Sequence, residues 1–177
     1  YNALYSNTTA SSNSAFGHLA LNNNTIGTEN TGFGRTVLTS NVAGSGSTAM
    51  GYESKRYANS ASGLFTTYNS AFGYQALRGS TTAASNTGTA NSAFGYQALY
   101  SATSGGNNTA FGSSALFTNT SGTNNTAIGK EAGYSMSAGT GNVFLGYQAG
   151  YSETGSGKLY IANSNTATPL IYGDFTS

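Results

Sequence analysis

The chain has no cysteine, no tryptophan and a single proline, and only 6% of its 177 residues are charged. Without cysteine there is no disulfide framework, so rigidity has to come from another source, such as a long ladder of backbone hydrogen bonds. The formal net charge is +1, and the six Lys and Arg are scattered. That excludes the basic stripe on which electrostatic nucleic-acid binding depends. No apolar run approaches the 18 or more residues of a membrane helix, and the N-terminus lacks the basic and apolar regions of a signal peptide. Leu, Ile, Val and Phe together number 27, under a fifth of the chain. So few bulky residues signal disorder only when net charge is also high. Here charge is near zero and tyrosine is abundant, which predicts order through repetition.

Catalytic chemistry is short of parts as well. One histidine and five acids, with no Gly-x-Ser-x-Gly setting, do not make a hydrolase triad. Phosphate-binding glycine loops need a strand-to-helix context, and no helix is expected. His18 stands where Tyr74 and Tyr96 stand in their own repeats, and a metal needs several convergent ligands. No enzyme is therefore expected, and no catalytic, cofactor-binding or metal residue is assigned.

What the sequence does contain is a phrase: Asn-[Ser/Thr]-Ala-[Phe/Ile]-Gly, then a stretch like Tyr-Gln-Ala-Leu, then polar residues. It starts at Asn13, Asn30, Asn69, Asn91, Asn108, Asn125 and Asn142, with weaker copies at Ser47 and Asn59 and a degenerate one at Lys158. The successive spacings are 17, 17, 12, 10, 22, 17, 17, 17 and 16. The opening Tyr1-Asn2-Ala3-Leu4-Tyr5-Ser6 reads like Tyr96 to Ser101, so the chain is expected to be a piece of a longer array.

A unit of 17 is too short for a helical-hairpin repeat, and its Gly, Asn, Ser and Thr disfavour helix. Its alternation fits short strands. Two strands of four or five residues and two turns fill such a unit. Stacking the units at about 4.8 Å gives parallel pairing, a solenoid, and a rod roughly 45 Å long. One Phe or Ile per coil is available for an apolar column inside, although alternation alone leaves open whether Ala or Phe faces inward. The repeated Asn suits an amide ladder, and the motif Gly suits a turn or close approach between coils. A core this thin is expected to leave one apolar flank of Ala, Leu and Tyr columns, which association would bury.

Asn124-Asn125-Thr126-Ala127-Ile128-Gly129 resembles the head repeats of trimeric autotransporter adhesins, the YadA-like left-handed parallel β-roll, and Ser47 to Ser54 is similar to that head's shorter period. Asn-Ser-Ala-Phe-Gly-Tyr-Gln-Ala-Leu, at 69–77 and 91–99, resembles bacteriophage tail-fibre repeats upstream of a peptidase S74-type chaperone. Lys158 to Asn163 and Pro169 to Phe175 resemble the segment that leads toward that chaperone. The resemblance implies an all-β, left-handed parallel β-solenoid assembled as a parallel homotrimer, with head repeats over 1–157 and a terminal coil and linker over 158–177. It implies a virion tail-fibre segment that mediates or spaces host attachment, or alternatively a bacterial surface adhesin head. The implied partners are the chain itself and a host receptor, either polysaccharide or outer-membrane protein, with no nucleic acid and no membrane insertion. The period of 17 exceeds that of the YadA-like head, so an enlarged polar turn is expected.

Two places are candidates for receptor contact. The long unit carries a polar insertion with Arg78, Ser80, Thr82, Asn86 and Thr87, and insertions in repeat proteins map to loops that are either plain connections or binding surfaces. Glu53, Lys55 and Arg56 form the densest charge cluster, whose plainer reading is a solvated turn or an inter-chain ion pair. The tyrosines Tyr74, Tyr96, Tyr134, Tyr147 and Tyr151 read as columns, either packed between rolls or stacked on sugars.

Overall fold

A computed structural model describes residues 1–176 of the chain. The motif Ser/Thr-Ala-Phe becomes a three-residue strand in each coil. These strands stack in parallel and in register: β1 (Ser14–Phe16), β2 (Thr31–Phe33), β4 (Thr48–Met50), β6 (Ser70–Phe72), β7 (Ser92–Phe94), β8 (Thr109–Phe111), β9 (Thr126–Ile128), β10 (Val143–Leu145) and β11 (Lys158–Ile161). Each motif alanine faces the next, Ala71 against Ala93 and Ala93 against Ala110. The expected parallel β-solenoid forms, with about nine turns. β12 (Ile171–Asp174) then runs back antiparallel on β11 and covers that edge of the stack. β11 lies within the segment expected to be a terminal coil and linker, whose last residue, Ser177, is outside the described residues.

The irregular middle differs from the expected spacing. β4 pairs directly with β6, and β6 with β7, so two 22-residue coils follow one another. The copy at Asn59 builds no coil. Its Oδ1 accepts the Ala61 N–H at 2.7 Å, a local turn in place of the ladder. Ser60 to Leu64 then bulge outward. The chain rejoins the stack at β5 (Phe65–Thr66), which pairs with β3 (Gly44–Ser45) on the return side. Ten or twelve residues do not provide a strand, two turns and a return segment.

The bend after each strand explains the rest of the phrase. In one coil Gly95, Gln97 and Leu99 have φ of 135°, 54° and 51°. Alternating left-handed residues fold Tyr-Gln-Ala-Leu into a tight corner that turns Ala98 and Leu99 inward, both fully buried. A left-handed leucine costs about 1–2 kcal/mol, and burying its side chain returns about 1.5–3 kcal/mol, so burial offsets the strain. At Gly95 a Cβ would stand 2.6 Å from the Gly112 carbonyl of the next coil. Glycine is there because coils approach too closely for any side chain.

The core consists of small columns. Motif alanines (Ala71, Ala93, Ala110) and corner residues (Ala98, Leu99, Leu116) are buried. Beside them runs the asparagine ladder. The backbone N–H groups of Asn108, Asn125 and Asn142 each donate to Oδ1 of the preceding Asn at 3.0 Å. The Nδ2 groups of Asn91, Asn108 and Asn125 donate to the carbonyls of Gly105, Gly122 and Gly139 at 2.8–2.9 Å. The amides of Asn91, Asn108 and Asn125 therefore join strand side to return side and are satisfied there, as burial demands.

Candidate functional site

Strand alternation places residues one and three of each strand outward. Ala is inside and Phe is outside, which settles the face that alternation left open. Phe16 is 67% exposed and Phe111 58%, whereas Ala93 and Ala110 are at 0%. The exposed flank therefore differs from the expected one: Ala and Leu line the interior, and the outer columns are Phe/Met/Ile and Tyr. Rings repeat up the face, Phe72 to Phe94 at 4.8 Å and Phe94 to Phe111 at 5.7 Å between centroids. Tyr52, Tyr74 and Tyr96 stack alongside at 5.1 and 5.4 Å. Met50 and Ile128 continue the column and are also exposed.

The tyrosines that read as one set in the sequence belong to two columns. Tyr74, Tyr96 and Tyr147 follow the motif glycine and are exposed. Tyr134 and Tyr151 follow the inward corner residue and continue a second stack, Tyr100–Phe117–Tyr134–Tyr151, half-buried with centroids 4.8–5.1 Å apart and planes within 5°. Arg78 occupies the same column one coil earlier. Its guanidinium lies 5.3 Å from the Tyr100 ring and 4.7 Å from the Tyr57 ring. His18 takes the exposed Tyr position and stacks on Tyr1 at 5.8 Å.

The charge cluster is not a solvated turn. Glu53 and Lys55 are each 5% exposed. Glu53 pairs with Arg56 and with Arg78 (3.0 Å), and accepts from Gln75 at 2.8 Å. Burial pushes its carboxyl up. The hydrogen bonds from Gln75, Arg78 and Tyr52, together with Arg56, outweigh that and hold it below the usual carboxylate range. Lys55 stands where Leu38 and Leu77 stand in neighbouring coils, and burial pushes its ammonium down to about 8. It lines a cavity of about 20 Å³ with Ala58, Leu77 and Asn86.

The insertion is pinned rather than free. Asn86 Nδ2 donates to the Tyr57 carbonyl and, at 2.8 Å, to the Ser80 carbonyl, while Oδ1 accepts the Ser80 N–H at 3.0 Å. A 3₁₀ turn, Ala83–Ser85, forms the tip. Thr82 and Thr87 are exposed, and Arg78, Ser80 and Asn86 are half-buried. Of the contact candidates, Thr82 and Thr87 present open surface, while Glu53 and Lys55 lie inside. A second glycine column, Gly105, Gly122 and Gly139, escaped the sequence reading. Each stands 14 residues after a motif asparagine, so the period was visible in the sequence.

These features define a parallel β-solenoid with an amide-laddered interior and an aromatic outer face. Comparison with known proteins finds no matching family model, no matching curated protein and no matching solved structure.

Proposed function

We propose that this chain is a rod segment of a bacteriophage tail fibre, wound as a left-handed roll and assembled as a parallel homotrimer that spaces or presents a host-binding surface. One observation carries the reading: an outward apolar column runs up the sheet of the single chain, with Phe16, Phe33, Met50, Phe111 and Ile128 exposed and Phe72 and Phe94 half-buried. A contiguous apolar strip of this kind marks an interaction surface. A partner whose columns repeat at the same interval matches it coil for coil, and a second copy in parallel has that interval by construction. Three copies would close such strips on a common axis, leaving the insertion at 79–90 for the outside. The motif resemblance supports the same arrangement.

Light scattering at micromolar concentration tests the assembly. The expected mass is three times 17.9 kDa. Phe94→Asp, with its side chain on the outside, should give a folded monomer, whereas Ala93→Asp should not fold, because it buries a carboxylate without a partner. A monomer mass for the unaltered chain would overturn the reading. Deleting 79–90 within the whole fibre should reduce attachment to host cells, and unchanged attachment would assign recognition elsewhere.

A further inference from the structure

The stack Tyr100–Phe117–Tyr134–Tyr151 climbs four coils and ends. Tyr151 carries Tyr134 on one face at 4.8 Å, with planes 5° apart. Among the described residues no further ring stacks above it, and Tyr151 lines a cavity of about 280 Å³ instead. The other walls bring Ser152, Glu153, Tyr160, Asn165 and Thr166 to the cavity, with Ala167 beside them. Glu153 is held there by three donors: the backbone N–H groups of Gly155 (2.7 Å) and Thr154 (2.9 Å) on Oε1, and the Tyr160 hydroxyl (2.8 Å) on Oε2. Burial pushes the Glu153 carboxyl up, and these hydrogen bonds, together with the Lys158 charge, outweigh it and hold the group below the usual carboxylate range. Oε1 has both lone pairs engaged, while Oε2 retains one, as does the Tyr160 oxygen. The Ser152 hydroxyl donates to Asn165 Oδ1 at 3.5 Å, a long and weak bond. The Asn165 amide NH₂ and the lone pairs of the Ser152 oxygen remain to bond elsewhere.

An aromatic platform, a fixed carboxylate oxygen, a phenol oxygen, a hydroxyl and a carboxamide make an amphipathic binding site. Its ligand needs one apolar face to lie on a ring and several hydroxyls around its rim. The carboxylate disfavours anions. The volume is near the lower end of small-molecule pockets, about 300 Å³, which suits one ring rather than a long segment. We infer that the cavity between Tyr151 and the 162–170 segment binds one neutral pyranose ring, its apolar face on Tyr151 and its hydroxyls bonded to Glu153 Oε2, Ser152 and Asn165. The inference deepens the proposed recognition role by naming a ligand class and a place, and it uses none of the residues of the Phe column.

The test uses the intact chain and the methyl glycosides of glucose, galactose, mannose and N-acetylglucosamine. Saturation-transfer NMR is read up to about 50 mM, where a ligand of millimolar Kd saturates. Saturable binding of at least one sugar is expected, with transfer to its ring protons. Tyr151→Phe keeps the platform and should keep the binding. Tyr151→Leu and Asn165→Ala should each weaken it at least about tenfold, beyond the reach of a small packing change. Asn165 is exposed, so its variant stays folded even if loss of the Tyr151 ring disturbs the stack. No saturable binding across the panel, or binding that survives both Tyr151→Leu and Asn165→Ala, would overturn the inference. Mass measured on the same samples separates the two ideas: a trimer that binds no sugar loses only this site, and a monomer that binds one loses only the assembly.

Discussion

The ring of Phe144 fills the space that a side chain on Gly133 would need: a Cβ there would stand 2.6 Å from Phe144 Cδ2. Phe144 occupies the column that holds alanine in the neighbouring strand, opposite Ala127. Gly133 occupies the corner column held one coil earlier by Leu116, which is fully buried. A large residue has entered the small column, and a small one has entered the large column. The same ring also fills the space over Gly150, where a Cβ would meet Phe144 Cδ1, so one large residue serves two corner glycines.

The exchange is testable as a cycle. Phe144→Ala alone should cost about 3–5 kcal/mol through the cavity it leaves. Gly133→Leu alone should cost about 1–3 kcal/mol by overpacking against the Phe144 ring. The double variant places leucine where Leu116 stands one coil earlier, in space the Phe144 ring has vacated, and the φ of 61° at position 133 is close to the 51° that Leu116 already adopts. Equilibrium denaturation should find the double variant more stable than the sum of the singles by at least about 2 kcal/mol. Additive losses would mean the two sites do not share space.

Lys55 is an ionisable group in a leucine position. Its ammonium titrates at about 8 in the folded chain, against about 10.4 when unfolded. Below about 8 both states are protonated and the full penalty of burying the charge applies. As pH rises toward about 10.4 the folded state releases its proton first, so stability increases across that window. Lys55→Leu should remove this slope and raise stability at pH 7 by about 3 kcal/mol, the equivalent of the shift. Melting curves of both chains between about pH 7 and 10 check it. Parallel pH profiles would show that Lys55 keeps its ordinary affinity for protons.

Asn125 couples three coils. Its Nδ2 donates to the Gly139 carbonyl and to Asn108 Oδ1, and its Oδ1 accepts from the Asn142 backbone. Asn125→Ala leaves a carbonyl and an N–H buried without partners. It should lower stability by at least about 2 kcal/mol, since each of the two orphaned groups costs about 1–3 kcal/mol. Loss of about 1 kcal/mol or less would show that water replaces the amide.

A second, shorter ladder stops early. Asn41 Nδ2 donates to Asn24 Oδ1 at 2.8 Å, but Asn41 Oδ1 is buried without a donor. The residue in the corresponding place of the next coil is Ala58, beside the cavity of about 20 Å³. Ala58→Asn supplies the missing amide, and part of its volume enters that cavity. A gain of up to about 1 kcal/mol is expected from the new hydrogen bond. A loss in thermal melting would mean the corner has no room for it.

The solenoid was legible in the sequence because its cause is periodic. Asn, Ala and Gly recur at intervals of 17 for contacts made between equivalent residues, and such contacts leave their period in the sequence. The Asn59 phrase misled for a local reason: Asn-Ser-Ala-Ser-Gly has the polar residues of the motif without the aromatic, and its asparagine closes a turn on Ala61. Which side of the strand was inside could not be read from alternation, because alanine is as compatible with a thin core as phenylalanine is with a joint face. The burial of Lys55 was hidden for a different reason. Lysine is a polar letter in the sequence, and only alignment with Leu38 and Leu77 puts it in the interior column. The cavity beneath residues 162–170 has no period at all, since it arises where the repetition stops.

Two coils of 22 residues sit among coils of 17, and the alanines of β4, β6 and β7 still face one another without a slip. The surplus leaves through the bends and returns before the next strand begins. Length in this molecule is therefore a free variable at its margins and a fixed one along its spine. Peptides grafted where Ser60 to Leu64 or Ser80 to Thr87 now protrude would be displayed at a set height along the shaft, as rungs on a ruler, without disturbing the graduations above or below.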